Sequence, residues 1–144
     1  MTDDQLIAAF EAGLLANENF HHQEHVRMGF LYMSRFPVLV GVGRFSEGLQ
    51  RLAVTCGRPN LYHETITWAF LLLIRERLAR AYEHRGRLPS WYEFAADNRD
   101  LLRGKDHILK EYYRDETLQS DLARKTFILP DRSCGLSREL ESQK

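Results

Sequence analysis

One run of side chains constrains the fold more than any other feature of the sequence. Ile66 to Ile74 reads Ile-Thr-Trp-Ala-Phe-Leu-Leu-Leu-Ile, broken only by Thr67, and it is followed by the charged stretch Arg75, Glu76, Arg77 and Arg80. Nine helical residues at 1.5 Å each cover about 14 Å, roughly half the hydrocarbon thickness of a bilayer, so the run predicts a buried core helix and not a membrane span. Around it the apolar residues recur at helical spacing. Leu6, Ile7, Phe10 and Leu14 follow Thr2-Asp3-Asp4-Gln5, the pattern of a capping box. Asn19 is placed to cap a second helix that runs to about Phe36, where Pro37 stops it. Phe45, Leu49, Leu52, Ala53 and Cys56 mark a third, ending at Gly57 with Pro59 beyond. Asn60 is then positioned to cap the core helix, from Leu61 to about Glu83.

Residues 37–43, with Val38, Leu39, Val40 and Val42 among glycines, read either as an extended turn-like connection or as a hydrophobic loop; the residues leave both open. Beyond Gly86 and Pro89 come Trp91, Tyr92 and Phe94 in a short helix. Further pieces follow around Leu101-Leu102, Ile108-Leu109, Leu118 and Leu122, and periodicity is lost from about residue 130. No alternating strand pattern, no repeat and no low-complexity linker appears. The expectation is an all-α single domain over 1–144, a bundle of about five to seven helices with an irregular tail.

Charge narrows the partners. Lys plus Arg and Asp plus Glu number 20 each, so the chain lacks the overall basic footprint of a nucleic-acid binder or of a protein held at an acidic membrane. Two cysteines, Cys56 and Cys134, are too few for a secreted disulfide framework, and the opening Thr2-Asp3-Asp4 is not a secretory leader. A cytoplasmic protein is the expectation.

Candidate chemistry concentrates in two strings, His21-His22-Gln23-Glu24-His25-Val26-Arg27 and Tyr62-His63-Glu64-Thr65. Helical residues three apart share a face, so His22 and His25 point together and extend the stripe of Gly29, Tyr32 and Phe36; His21 with His25 is the alternative pair. His63 lies on the face of Ile66, Phe70, Leu73 and Arg77. If helices 2, 3 and 4 run up, down and up, the first turns of helices 2 and 4 lie at one end, and His22, His25, His63 and Glu64 can converge. Such donors suit a divalent transition metal, Zn, Fe, Ni or Cu, with geometry deciding among them, or a polar small molecule. Glu24 and Tyr62 are then groups that orient the ligands.

A helix N-terminus opposes a cation by up to about 1 kcal/mol, small beside the roughly 10 kcal/mol or more of structural zinc in zinc-finger peptides. An incomplete donor set reverses the preference: the helix ends, with Arg27 one turn along, would then favour a carboxylate or phosphate. An open metal position would activate water or dioxygen in an enzyme. The competing reading is a non-enzymatic helical module, monomeric or homodimeric, whose histidines are structural and whose apolar surface around residues 38–42 docks a partner.

No P-loop, dinucleotide fingerprint, H-E-x-x-H, nucleophile elbow or C-x-x-C is present, and Thr67 stands where a zincin needs its second histidine. His84 and His107 read as surface residues, and Cys134 as a poorly supported nucleophile. The strings His22-Gln23-Glu24-His25-Val26-Arg27, Tyr62-His63-Glu64-Thr65-Ile66-Thr67 and Trp91-Tyr92-Glu93-Phe94, with Tyr112-Tyr113, resemble a group of small bacterial all-helical proteins without an established activity. The resemblance covers most of the chain and implies a whole protein of that kind. It implies no substrate or reaction, and the doubled His21-His22 departs from the group's H-x-x-H pattern.

Overall fold

Thr2 starts the first helix by reciprocal capping. Its hydroxyl accepts the Gln5 N–H at 3.2 Å, and the Gln5 side chain accepts the Thr2 N–H at 2.8 Å, so two of the orphan donors at the helix start are satisfied. The computed structural model describes residues 2–15 and 20–132. Helix α1 spans Asp3–Glu11 and buries Ile7 and Phe10. It stops earlier than its stripe predicts: Gly13 turns the chain at φ +72, and Leu14 emerges 78% exposed. Phe10 packs against Gly48, where a Cβ would overlap its ring.

Helix α2 spans His22–Arg35, with His21 at its N-cap. The expected cap, Asn19, lies outside the described residues. Phe36, extended before Pro37, closes the helix as the sequence predicts. Helix α3 spans Val38–Thr55 and corrects the reading of residues 37–43: the segment is helical from the residue after Pro37. Two glycines lowered its apparent helical propensity. Gly41 has a structural reason, because a Cβ there would come within 3.0 Å of the Tyr32 carbonyl and closer still to the Met33 methyl, at the elbow where α3 crosses α2.

Past Gly57, a 3-10 turn over Pro59–Leu61 leads into helix α4, Glu64–Arg85, which ends on left-handed Gly86. Asn60 sits inside the 3-10 turn; the cap of α4 is His63.

Contacts between α2 and α4 dominate the tertiary structure. They advance in the same direction along both helices: Gly29 packs on Leu71 and Ile74, and Arg75 donates to the Met33 carbonyl at 2.7 Å. Helix α3 runs the other way across them, with Ser46 meeting Trp68 and Ala53 facing Tyr62 and Ile66. The up-down-up arrangement is therefore present. Its most enclosed member is α2, not α4: seven consecutive or near-consecutive residues from Val26 to Met33 are buried, whereas Leu72 in the middle of α4 is 41% exposed. Helices pack on α2 from several sides, while one face of α4 opens on a groove.

The remaining elements wrap this core. Helix α5, Trp91–Asp97, starts from a Ser90–Glu93 capping box and sets Phe94 on Phe30 at 5.1 Å between ring centroids. Two 3-10 turns, Arg99–Leu102 and Ile108–Glu111, and two short helices, α6 (Asp115–Leu118) and α7 (Asp121–Lys125), follow. Residues 126–132 then return along the bundle. Thr65, fully buried in α4, holds them with one hydroxyl that donates to the Thr126 carbonyl (2.8 Å) and accepts the Ile128 N–H (3.1 Å). The Tyr113 hydroxyl donates to the Ile128 carbonyl at 2.6 Å. The result is an all-α fold; among the described residues no strand occurs and no helix is long and apolar enough to cross a membrane.

Candidate functional site

The two histidine strings land on neighbouring elements but in different roles. His63 caps α4: its Nδ1 accepts the Ile66 N–H at 3.1 Å, and its Nε2–H donates to the Leu118 carbonyl at 2.7 Å. Acceptor at one nitrogen and donor at the other defines the neutral Nε2–H tautomer. Burial, reinforced by nearby Arg124, holds the imidazole below its ordinary value. Both nitrogens are thereby engaged. His63 joins the start of α4 to the end of α6, a link between residues 55 apart in sequence.

His22 makes a similar bridge. Its Nε2–H donates to the Leu101 carbonyl at 2.9 Å, its ring sits edge-on to Phe70 at 5.2 Å between centroids, and Gly104 lies against its Cβ. Phe70 is seven residues along α4 from His63, about 10 Å of helix. The starts of α2 and α4 are thus at one end of the bundle but offset, and the offset keeps His22 away from His63. Among the described residues, no three His, Cys, Asp or Glu side chains form a group that could hold a metal ion. Glu64 turns to Tyr62, whose hydroxyl donates to its Oε1 at 2.5 Å, and burial with this bond pushes the phenol up to about 12. Glu24 and His21 are exposed, and Arg27 is half-buried.

His25 is different. Its ring lies on Phe20 with 4.2 Å between centroids, and it faces a cleft. The cleft, about 340 Å³, lies between α2, α3 and the start of α4, walled by Leu49, Leu52, Ala53 and Ile66 with Tyr62, His63 and Thr67. A second recess of about 90 Å³ continues inward, past His22, to Phe45, Phe70 and Ile74. His25, Leu49, Ile66 and Thr67 border both, so His25 stands at the junction. Burial is the main cause that pushes its imidazole down to about 4, and His22 adds to it; the nearby Phe20 backbone and the Glu24 charge pull the other way without prevailing. At neutral pH the ring is uncharged.

The remaining histidines divide. His84 is exposed in the last turn of α4, as its sequence context predicts. His107 corrects the surface expectation: the chain folds back across the bundle, its ring meets Phe70 at 5.7 Å, and its Nδ1 is buried without a hydrogen-bond partner. Burial lowers its basicity, with Lys110 and His22 contributing. Cys134 lies outside the described residues.

Two groups were not visible as site residues in the sequence. Thr67 reads there as an interruption of an apolar run, yet it lines both chambers. Ser46, on α3, accepts the Trp68 indole N–H at 3.1 Å behind the Tyr62 ring. A polar residue inside a buried apolar run is the signal that could have marked Thr67. No protein-family model, no curated protein and no solved structure matches this chain, so its site is read from its own geometry.

Proposed function

We propose that this protein binds an uncharged, largely apolar small molecule in the cleft between α2, α3 and α4, with His25 as the group that orients it. The observation that carries this reading is the position of His25, a neutral imidazole at the junction of a 340 Å³ cleft and its inner recess. That volume is in the range of small-molecule sites, and an apolar wall with few polar groups is their usual character. A neutral imidazole offers one donor and one acceptor. Either can pair with a ligand hydroxyl or amide. Thr67 supplies a second polar contact.

Charge argues the same way. Among the described residues, no Lys or Arg lines either chamber, so a carboxylate or phosphate would meet no counter-charge there. An imidazole whose proton affinity is centred near 4 is a weak base at neutral pH, and this favours recognition over general-base catalysis. A divalent transition metal is the second reading, favoured by one observation: His22 and His25 both line the inner recess, three residues apart on one helix face. The remaining ligands would have to come from elsewhere, since His63 has both nitrogens engaged.

Benzyl alcohol and Zn²⁺, titrated separately into labelled protein and followed by imidazole and methyl NMR, test the two readings. Saturable shifts with benzyl alcohol at His25 and Leu49, abolished by His25→Gln and Thr67→Leu, support the small-molecule site. Near-stoichiometric Zn²⁺ uptake that moves His22 and His25 together would replace it with the metal reading. Benzyl alcohol shifts spread over exposed residues such as Leu39, with His25 unmoved, would refute the cleft as a binding site.

A further inference from the structure

The two chambers of the His25 cleft differ in size, and the difference limits what each can hold. The inner recess measures about 90 Å³ and is walled by Val26, Phe45, Leu71 and Ile74, all buried, with Phe70 beside them. A cavity of about 150 Å³ with such a lining stays dry and takes one benzene ring. The recess is therefore too small for a ring, and at roughly 30 Å³ for each water-sized group it holds an unbranched arm of about three carbons. The outer chamber, about 340 Å³, has room for a ring.

Polar groups are distributed as unevenly as volume. In the outer chamber the Tyr62 hydroxyl is committed to Glu64, and both nitrogens of His63 are committed to Ile66 and Leu118. At the recess, His22 has given its Nε2–H to the Leu101 carbonyl and keeps only an acceptor. His25 and Thr67 take no part in these bonds, and among the described residues they are the two polar side chains that border both chambers. Each brings a donor and an acceptor, since the His25 ring is neutral. A ligand that fills both chambers has to cross this point, so its polar function sits in its middle with an apolar arm on either side. A mid-chain amide supplies a C=O and an N–H there. An ester or ketone supplies an acceptor alone, and a protein acceptor beside it loses water without gaining a partner.

We infer that the ligand class of this site is a secondary amide that joins a short alkyl arm to a ring: the arm, about three carbons long, enters the inner recess, the amide pairs with His25 and Thr67, and the ring stays in the outer chamber. The assignment rests on the reading of the cleft as a small-molecule site and narrows it to one chemistry. The recess sets the length of the arm, and the junction sets where the polar group lies.

N-benzylbutanamide and 5-phenylpentanamide are isomers that differ in where the amide lies, and titrating each into the labelled full chain beside benzyl alcohol is the test. N-benzylbutanamide should bind about tenfold more tightly, with Overhauser contacts from its terminal methyl to Ile74 and Phe70 and from its ring to Leu52 and Ala53. Each methylene added from N-benzylacetamide to N-benzylbutanamide should tighten binding about fourfold, the worth of one buried CH₂, and N-benzylhexanamide should lose that gain. Benzyl butanoate, which lacks the N–H, should bind about tenfold more weakly than the amide. Val26→Leu fills part of the recess and should move the optimum to a shorter arm; the wild-type series decides even where that variant fails to fold. Equal affinity of the two isomers, a flat dependence on arm length, or a tie between amide and ester overturns the inference, while saturable shifts at His25 keep the cleft as a site. An amide series that leaves His25 unmoved also overturns it, and the benzyl alcohol titration then shows whether the cleft reading falls with it.

Discussion

Replacing His63 tests whether this residue is a structural clasp, and the expected cost follows from its two hydrogen bonds. His63→Ala removes the acceptor for the Ile66 N–H at the first turn of α4, a loss of about 1 kcal/mol for a side-chain cap. It also strips the donor from the Leu118 carbonyl, in a residue that is 8% exposed, and an unpaired buried carbonyl costs about 1–3 kcal/mol. Together the loss is about 2–4 kcal/mol. At roughly 3 °C per kcal/mol for a chain of this size, the melting temperature should fall by about 6–12 °C. His63→Asn separates the two contributions. Asn is a good cap but its side chain is too short to reach Leu118, so it should recover about 1 kcal/mol and no more.

Calorimetric or circular-dichroism melts measure both variants at pH 7.5. The pH dependence has a defined sign: the folded imidazole holds its proton less well than the unfolded one, so the unfolded state takes up the proton first. The stability from His63 is whole above about 6.5, the unfolded value, and declines as pH falls from there toward the folded value. The advantage of the wild type over the Asn variant should shrink accordingly. A melting temperature within about 1 °C of wild type for His63→Ala, on a scale of several degrees per kcal/mol, would refute the clasp. So would an Asn variant as unstable as the Ala variant.

His25 should titrate by NMR with a midpoint near 4, and the folded protein should lose roughly 3 kcal/mol from this group as pH drops from 6.5 to 4; a midpoint near 6.5 would show that the ring is not enclosed as described. Two glycine substitutions on α3 should have opposite signs. Gly48→Ala forces Phe10 out of its place among Phe20, Tyr32 and Phe45 and should cost about 1–3 kcal/mol net of the helical gain, whereas Gly43→Ala meets nothing within 4 Å and should stabilise by about 0.5–1 kcal/mol in urea melts. Thr65→Val leaves the Thr126 carbonyl and Ile128 N–H without their shared hydroxyl, and hydrogen exchange at Ile128 should accelerate by about tenfold or more, equivalent to about 1.4 kcal/mol; unchanged protection would show that the returning segment is held elsewhere.

The sequence by itself determined which segments are helical and where most of them stop, because those choices are local. Thr2 and Gln5 cap α1 within four residues, Ser90 and Glu93 do so for α5, Pro37 bars α2 from continuing, and Gly57 and Gly86 accept the left-handed turn that others resist. Periodicity also placed His22 and His25 on one face of α2, whereas the up-down-up order, only a condition in the sequence reading, is supplied by the packing. The start of α3 escaped because glycines mask helical propensity, and Gly41 is explained only by the nearness of Met33 and the Tyr32 carbonyl.

Tertiary structure alone decided what the histidines do. Both imidazole bonds of the clasps go to carbonyls far along the chain, Leu101 for His22 and Leu118 for His63, and no local pattern encodes those partners. The relative offset of α2 and α4 separates His22 from His63, though both begin their helices at one end of the bundle. That offset is set by how side chains such as Ile74 and Leu71 fit against Gly29, a matter of shape between two surfaces. Depth decided the rest: a histidine's charge depends on how much water remains around it. Folding buries His25 at the mouth of a recess and leaves His84 in solvent, two outcomes for the same side chain.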